Sequence, residues 1–123
     1  MNKDPLEFRF YYFTNSYETT VEFYRDILQL EIVRHWDRDE LDKGTIFKSP
    51  NGNGWIEIEK GEEMPLLGGG LYIEVEDIDY WYQLALNNKI QILQPLKDTS
   101  YGHRSFKFAD PNGMSIGLFK YLR

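Results

Sequence analysis

The feature that most constrains this fold is an internal repeat. Residues 47–52 read FKSPNG, and a similar phrase, FADPNG, occupies residues 108–113, 61 positions later. A segment with the composition of a β-strand follows each copy, at residues 55–59 and 114–119. Because the spacing is half of the 123-residue chain, the repeat predicts one supersecondary unit used twice within a single domain. Two such halves commonly enclose a concavity, where we expect a small molecule to bind.

Composition and charge narrow the classes of function. The formal net charge of −6 disfavours binding to the phosphate backbone of nucleic acids. The chain has no cysteine, which excludes disulfides, thiolate catalysis and cysteine-bound metals. No apolar run approaches the roughly 20 residues of a membrane span, and the first residues lack the apolar segment of a signal peptide. We therefore expect a cytoplasmic protein with neither nucleic-acid nor membrane partners.

Aromatic residues are abundant, with nine Tyr, eight Phe and three Trp. A β-rich fold explains many of them, since aromatic residues favour strands. The remainder favours a ligand cleft or a subunit interface, because Tyr and Trp combine a large apolar area with a polar atom that needs a partner.

Local patterns predict the order β-α-β-β-β in the first half. The helix is indicated by Val21, Tyr24 and Leu28 at helical spacing, with Asn15 or Ser16 as its N-cap. The predicted elements are strands at residues 6–14, 30–36, 44–48 and 55–59, a helix at 17–28, a charged loop at 37–43 and a hairpin turn at 51–54.

The same order recurs in the second half. Asp77 is placed to cap a helix, and Asn87 and Asn88 suit a left-handed exit from it. Residues 61–70, with Pro65 and three consecutive glycines, predict a flexible hinge between module one, residues 1–60, and module two, residues 71–123. The predicted elements of module two are a helix at residues 77–86, strands at 71–75, 90–93, 104–109 and 115–121, and an irregular loop at 95–102.

Alternation along the strands predicts two different faces for each sheet. On the strand at residues 55–59, Ile56 and Ile58 point to one face and Glu57 to the other. On the last strand, Ile116 and Leu118 point to one face, and Ser115, Gly117 and Phe119 point to the other. The apolar face suits packing under the helix of its module. On the other face aromatic residues stand beside carboxylates, which suits a ligand-lined cup, although solvent exposure alone also explains a mixed face.

Two longer phrases carry a family resemblance. Residues 21–30, VEFYRDILQL, and residues 101–113, YGHRSFKFADPNG, within paired β-α-β-β-β halves, resemble the vicinal oxygen chelate superfamily. That superfamily includes glyoxalase I, bleomycin-resistance proteins, fosfomycin-resistance enzymes and extradiol dioxygenases, and the resemblance covers nearly the whole chain. It implies an α+β fold in which two βαβββ modules form a cupped mixed sheet with the helices outside, and it implies a homodimer.

The resemblance also says where a metal would be held. Enzymes of this superfamily bind a divalent metal through strand side chains repeated in the two halves. The corresponding positions fall near Arg9, Glu57 and Gly70 and at Gly117, and only Glu57 carries a metal-binding side chain. One carboxylate does not hold a divalent ion against water, because sites of this type need three or four protein ligands. We therefore expect no metal and no other cofactor.

The chain has two histidines. His35 is interpreted as a strand or rim residue. His103 shares a strand face with Ser105, and a ligand contact and a structural hydrogen bond suit it equally. A metal site built from His103, Glu57 and Glu74 has no support from their spacing.

The first hypothesis is a metal-free protein similar to the bleomycin-resistance proteins, which sequester a drug in a cleft between two subunits. Stacking surfaces and carboxylates would then meet a cationic or aromatic ligand. No catalytic residue is expected. The residues predicted to line the cleft are Arg9, Tyr11, Trp55, Glu57, Glu59, Tyr72, Glu74, His103, Ser105, Lys107 and Phe119.

Two other functions stay open. One is a metal-dependent lyase, isomerase or dioxygenase of the glyoxalase type with a degenerate metal site, which uptake of a divalent metal that depends on Glu57 would indicate. The other is an interaction module without a small ligand. Its signature would be a cup filled by its own side chains.

Overall fold

A computed structural model describes residues 7–62 and 69–123. The order β-α-β-β-β, predicted for each half, is confirmed. The elements of the described residues are β1 Arg9–Thr14, α1 Tyr17–Glu22, the π-helical turn Phe23–Ile27, β2 Ile32–Asp39, β3 Asp42–Lys48, β4 Trp55–Lys60, β5 Gly70–Glu74, α2 Ile78–Asn87, β6 Ile92–Asp98, β7 His103–Ala109 and β8 Ser115–Tyr121.

Each module forms a mixed four-stranded sheet, in the order β1-β4-β3-β2 and β5-β8-β7-β6. The pairs β1–β4 and β5–β8 are parallel, and the other neighbours are antiparallel. Ile56 of β4 lies between Phe10 and Phe47, and Ile116 of β8 lies between Leu71 and Phe108. These matching registers make the modules equivalent strand by strand and confirm the α+β fold class.

The apolar strand faces and the two helices share one core. Ile58 and Leu118 are fully buried in the middle strands of their sheets, as the alternation predicts. The ring of Tyr24 lies 5.7 Å from Phe47 of its own module, and the neighbouring ring of Phe23 lies 6.3 Å from Phe108 of module two. The first helical segment therefore packs against both modules.

A buried carboxylate also joins the modules. Asp110, in the second copy of the repeated turn, is 4% exposed. One of its oxygens accepts hydrogen bonds from the hydroxyls of Tyr12 and Tyr24, the latter at 2.9 Å. The other accepts from the backbone N–H groups of Asn112 and Met114, both at 2.9 Å. The turn of module two thus anchors a strand and a helix of module one.

The helix ends differ from the sequence predictions. Asp77 caps α2 by accepting a hydrogen bond from the N–H of Tyr80 at 3.2 Å, as predicted. Ser16, one of the two predicted caps of α1, makes no capping bond through its side chain, and its carbonyl accepts a hydrogen bond from the Thr20 hydroxyl. The left-handed residue after α2 is Lys89, with φ of 55°, and not Asn87 or Asn88.

Three strands, β2, β3 and β6, extend into segments predicted as loops. β2 and β3 extend through most of the predicted loop at residues 37–43, where Asp37 pairs with Lys43. β6 runs through Pro95 into the predicted loop at residues 95–102, which edge position and register shifts allow. Most of the predicted hinge, residues 61–70, lies outside the described residues. In residues 7–62 and 69–123, no helix has the length and apolar character needed to cross a membrane.

Candidate functional site

An ion pair occupies the mixed face of module one. Arg9 of β1 donates a hydrogen bond of 2.5 Å to the carboxylate of Glu57 on β4 and also bonds Glu7. Its guanidinium carbon lies 5.3 Å from the ring centre of Trp55, within the range of a cation–π contact. Glu57 is buried, so Arg9 supplies the positive charge that a buried carboxylate requires.

Glu59 shares that face with Glu57, two residues along β4. Burial, together with the hydrogen bond and the charge of Glu57, raises the pKa of Glu59 to about 7. Burial acts against ionisation of Glu57 as well, but hydrogen bonds with Glu59 and Arg9 outweigh it and lower the pKa of Glu57. The two carboxyl groups therefore hold one proton between them below neutral pH.

Aromatic rings fill the corresponding face of module two. The ring centre of Phe119 lies 4.4 Å from Tyr72 and 4.6 Å from His103, and both pairs are stacked. The Tyr72 hydroxyl lies 3.2 Å from Nδ1 of His103, so the two covering rings are also hydrogen-bonded to each other. Tyr101 and Tyr121 meet the imidazole edge-on at 5.1 and 4.8 Å. Phe119 is thus buried beneath its neighbours, whereas Tyr72 keeps an exposed ring.

The strand registers place the four implied metal positions in equivalent pairs, Arg9 with Gly70 and Glu57 with Gly117. The Tyr72 ring lies over Gly117, so closely that an added Cβ atom would stand 2.5 Å from its Cδ1 atom. An added Cβ atom at Gly70 would meet a backbone carbonyl oxygen at the same distance. Neither glycine position has room for a ligating side chain.

The residues present do not fit a divalent metal centre. Glu57 is the one carboxylate among the four positions, and its charge is already matched by the guanidinium of Arg9. Among residues 7–62 and 69–123, no three His, Cys, Asp or Glu side chains come close enough together to share an ion. The face lacks the three or four protein ligands that such a centre needs.

A groove of about 350 Å³ runs between the modules. Trp55 and Phe10 form its wall on module one, and Tyr72, Glu74 and Phe119 form its wall on module two. The turn between β3 and β4 adds the polar side chains of Ser49, Asn51 and Asn53 to the lining. The complete lining is Phe8, Phe10, Ser49, Asn51, Asn53, Gly54, Trp55, Ile56, Leu71, Tyr72, Ile73, Glu74 and Phe119.

The predicted cleft residues separate into three groups. Trp55, Tyr72, Glu74 and Phe119 line the groove. Arg9, Glu57 and Glu59 form the ion-pair cluster of module one, with Tyr11 exposed beside them on β1. His103 and the buried Ser105 lie on the mixed face of module two, as does the exposed Lys107. His35 is exposed on β2, away from all three groups.

Sequence reasoning missed the contribution of Phe8 and of the turn residues Asn51 and Asn53 to the groove. The turn was recognised as a turn, but no local signal indicates that it approaches β5 of the other module. Phe8 is 74% exposed, and an exposed aromatic side chain of this kind is recognised from the structure and not from the sequence.

Family and structure comparisons agree on the fold. The family model for the Glyoxalase/Bleomycin resistance protein/Dioxygenase superfamily matches residues 8–118. None of the curated proteins compared by sequence matches the chain significantly.

Several solved structures are similar over nearly their whole length. TioX from Micromonospora sp. ML1 has 15% identity and a TM-score of 0.77, covering 96% of this chain and 100% of that one. A superfamily protein from Alicyclobacillus acidocaldarius has 16% identity and a TM-score of 0.74, covering 100% and 96%. A mutant of the fosfomycin resistance protein FosX from Listeria monocytogenes, complexed with Mn(II) and 1S,2S-dihydroxypropylphosphonic acid, has 16% identity and a TM-score of 0.75, covering 98% and 94%. At these identities the likeness shows the fold.

Proposed function

The chain belongs to the glyoxalase/bleomycin resistance protein/dioxygenase superfamily, and within it we propose that this protein binds a small molecule without a metal, in the groove between its modules. The observation that carries the proposal is the groove itself, where Trp55 and Tyr72 face one cavity of about 350 Å³ from different modules. That volume suits a small organic ligand, and a mostly apolar lining with a few polar groups is typical of ligand pockets.

The groove favours a ligand with a flat aromatic part and a hydrogen-bond donor or positive charge. Tyr72 is 46% exposed, so one face of its ring is available for stacking. Glu74 lines the same groove and forms no ion pair or hydrogen bond with the described residues. An unpaired carboxylate beside aromatic rings attracts a protonated amine.

The filled face of module two bears on the alternative of a pure interaction module. Tyr72 and His103 cover Phe119 there, which matches the signature expected for that alternative. The groove supports ligand binding nonetheless, because it stays open on the Trp55 side of Tyr72. Sequestration of a drug is one role that such binding would serve.

We extend the proposal to a cytoplasmic homodimer. Its support is the apolar exposure of the edge strand β1 and the residue before it. Phe8, Tyr11 and Phe13 are 74, 60 and 43% exposed, and among residues 7–62 and 69–123 β4 is the single strand that pairs with β1. Light scattering after size exclusion tests the dimer, and a monomer at micromolar concentration would refute this part.

A thermal-shift screen of aromatic amines and cationic drugs tests the binding proposal. A ligand at a hundred times its Kd stabilises the folded state by about 2.7 kcal/mol, which is a readable shift in Tm. We expect Tyr72→Ala to abolish the shift given by a hit. Tyr80→Ala is the matched control, since Tyr80 is 50% exposed on α2 and lines neither wall of the groove. Equal loss in both variants would contradict the proposal.

The same screen with divalent metal separates the proposal from the enzymatic alternative. We expect Mn²⁺, Zn²⁺ and Ni²⁺ to leave Tm and ligand affinity unchanged, because Glu57 is neutralised by Arg9. Micromolar metal uptake in calorimetry that is lost in Glu57→Gln would instead indicate a metal-dependent lyase, isomerase or dioxygenase.

A further inference from the structure

A second and larger cavity, of about 750 Å³, lies beside the groove. Its walls come from the end of β5 and the start of α2, from the end of β8, and from the β3–β4 turn. Asn51, Asn53 and Glu74 line both spaces, so the groove and the cavity adjoin. A molecule lying in the groove therefore has room to extend past Glu74.

Charges of both signs line this cavity, at the ends of the two neighbouring strands β5 and β8. Glu74 and Glu76 stand on the segment between β5 and α2, and Lys120 and Arg123 stand at the end of the chain. A third carboxylate, Asp77, is already engaged in capping α2. The lining thus carries three negative and two positive charges, and Asp77 is already held by a backbone N–H group.

These charges do not neutralise one another. Glu74, Glu76 and Lys120 form no ion pair within residues 7–62 and 69–123, and Arg123 contacts only the ring of Tyr121, at 5.5 Å. A neighbouring cation is paired, in contrast to Lys120: Arg104, the register partner of Lys120, donates a hydrogen bond of 2.7 Å to Asp98. Unpaired charges of both signs around one cavity suit a ligand that itself carries both charges.

We propose that this cavity binds a zwitterionic group, an ammonium and a carboxylate on one small molecule, as in an amino acid or a short peptide. The ammonium contacts Glu74 and Glu76, and the carboxylate contacts Lys120 and Arg123. This rests on the proposed function, since the aromatic part of the same molecule occupies the adjoining groove. The ligand class is therefore an aromatic amino acid, or a compound that carries one.

Four compounds test the inference, because they share the indole ring and carry different combinations of the two charged groups. Tryptophan carries both charges, tryptamine the ammonium, indole-3-propionate the carboxylate, and N-acetyltryptophanamide neither. Binding to the ¹⁵N-labelled protein is followed by amide chemical shifts. We expect tryptophan to bind at least about tenfold tighter than each single-charge compound, the effect of one charged contact. It should shift amides at residues 74–77 and 119–123.

Substitutions identify which charged side chains determine the preference for tryptophan over the single-charge compounds. Glu76→Gln and Lys120→Met should each remove the roughly tenfold advantage of tryptophan. Lys97→Met is the matched control, because Lys97 is an exposed lysine that lines neither space, and it should retain the advantage. Tm of each variant confirms that it is folded.

The outcomes separate this inference from the binding proposal. If all four compounds bind equally and shift only amides of the groove, around Trp55 and Tyr72, the zwitterion site is refuted and the groove proposal survives. If tryptophan at millimolar concentration shifts neither region, the inference is also refuted, and the groove proposal then depends on its own screen. Retention of the preference in Lys120→Met would refute the assigned carboxylate contact.

Discussion

Replacing Asp110 should destabilise this fold more than replacing any exposed charged residue. The carboxylate is 4% exposed and accepts four hydrogen bonds, two from tyrosine hydroxyls of module one and two from backbone N–H groups of its own turn. Asp110→Ala removes all four acceptor contacts and leaves the donors buried. Because the tyrosines belong to one module and the carboxylate to the other, the loss falls on the contact between modules.

The magnitude follows from the number of donors left without partners. Each buried donor that loses its acceptor costs about 1–3 kcal/mol. The amide of Asn112 donates to the Tyr12 oxygen at 3.2 Å and so does not satisfy the Tyr12 proton, but water entering the space left by the side chain satisfies part of the orphaned donors. We therefore expect a loss of about 4 kcal/mol, near the upper limit for one substitution. Asp110→Asn keeps one acceptor oxygen and the shape, and should cost about 1–2 kcal/mol.

Urea unfolding followed by tryptophan fluorescence measures these differences. The control is Asp98→Ala, which breaks an exposed ion pair with Arg104 and should cost less than about 1 kcal/mol. The m-value should stay unchanged, so that the shift in midpoint reports stability alone. A loss below about 1 kcal/mol for Asp110→Ala would refute the network as a source of stability. Equal losses for the Ala and Asn variants would show that the charge matters, and not the number of bonds.

Three further predictions follow from the pKa shifts and the packing. The pKa of Glu59 is raised from 4.5 to about 7, so its contribution to stability is full below pH 4.5 and is lost as pH rises to about 7, and Glu59→Gln should flatten the stability profile over that range. Burial, first of all, raises the pKa of Tyr12 and Tyr24, so stability should fall above pH 10 by about 1.4 kcal/mol per pH unit for each, and replacing both by Phe should remove this fall. Gly117→Ala should cost about 1–3 kcal/mol in urea unfolding because its Cβ atom meets the ring of Tyr72, and in a Tyr72→Ala background the cost should disappear. A cost that persists in that background would place the strain elsewhere.

The repeat made most of the fold predictable. Its spacing indicated two equivalent modules, and period-two alternation assigned Ile56, Ile58, Ile116 and Leu118 to the core face. Asp77 was found as a cap because the capping bond is local, reaching only to Tyr80. Signals that act over a few residues were sufficient for these features.

Features that depend on distant partners were not predictable. Ser16 is a good capping residue by type, yet its side chain makes no capping bond. Asp110 was recognised as a turn residue, but its tyrosine partners lie 98 and 86 residues away. The residues predicted to line one cleft likewise form three separate groups in the structure. Period-two alternation assigns each residue to a face of its strand, but it does not say which faces come together.

The asymmetry between Glu57 and Gly117 shows why the fold and the chemistry of this protein can change separately. The two residues occupy equivalent positions in the middle strands, and both lie on the face opposite the core isoleucines and leucine. At Gly117 the Tyr72 ring lies in the space that a ligating group would fill. On the other module, Arg9 neutralises the carboxylate of Glu57. Placing a carboxylate at residue 117 alone should therefore not create a metal site, because the ring and the guanidinium both oppose it.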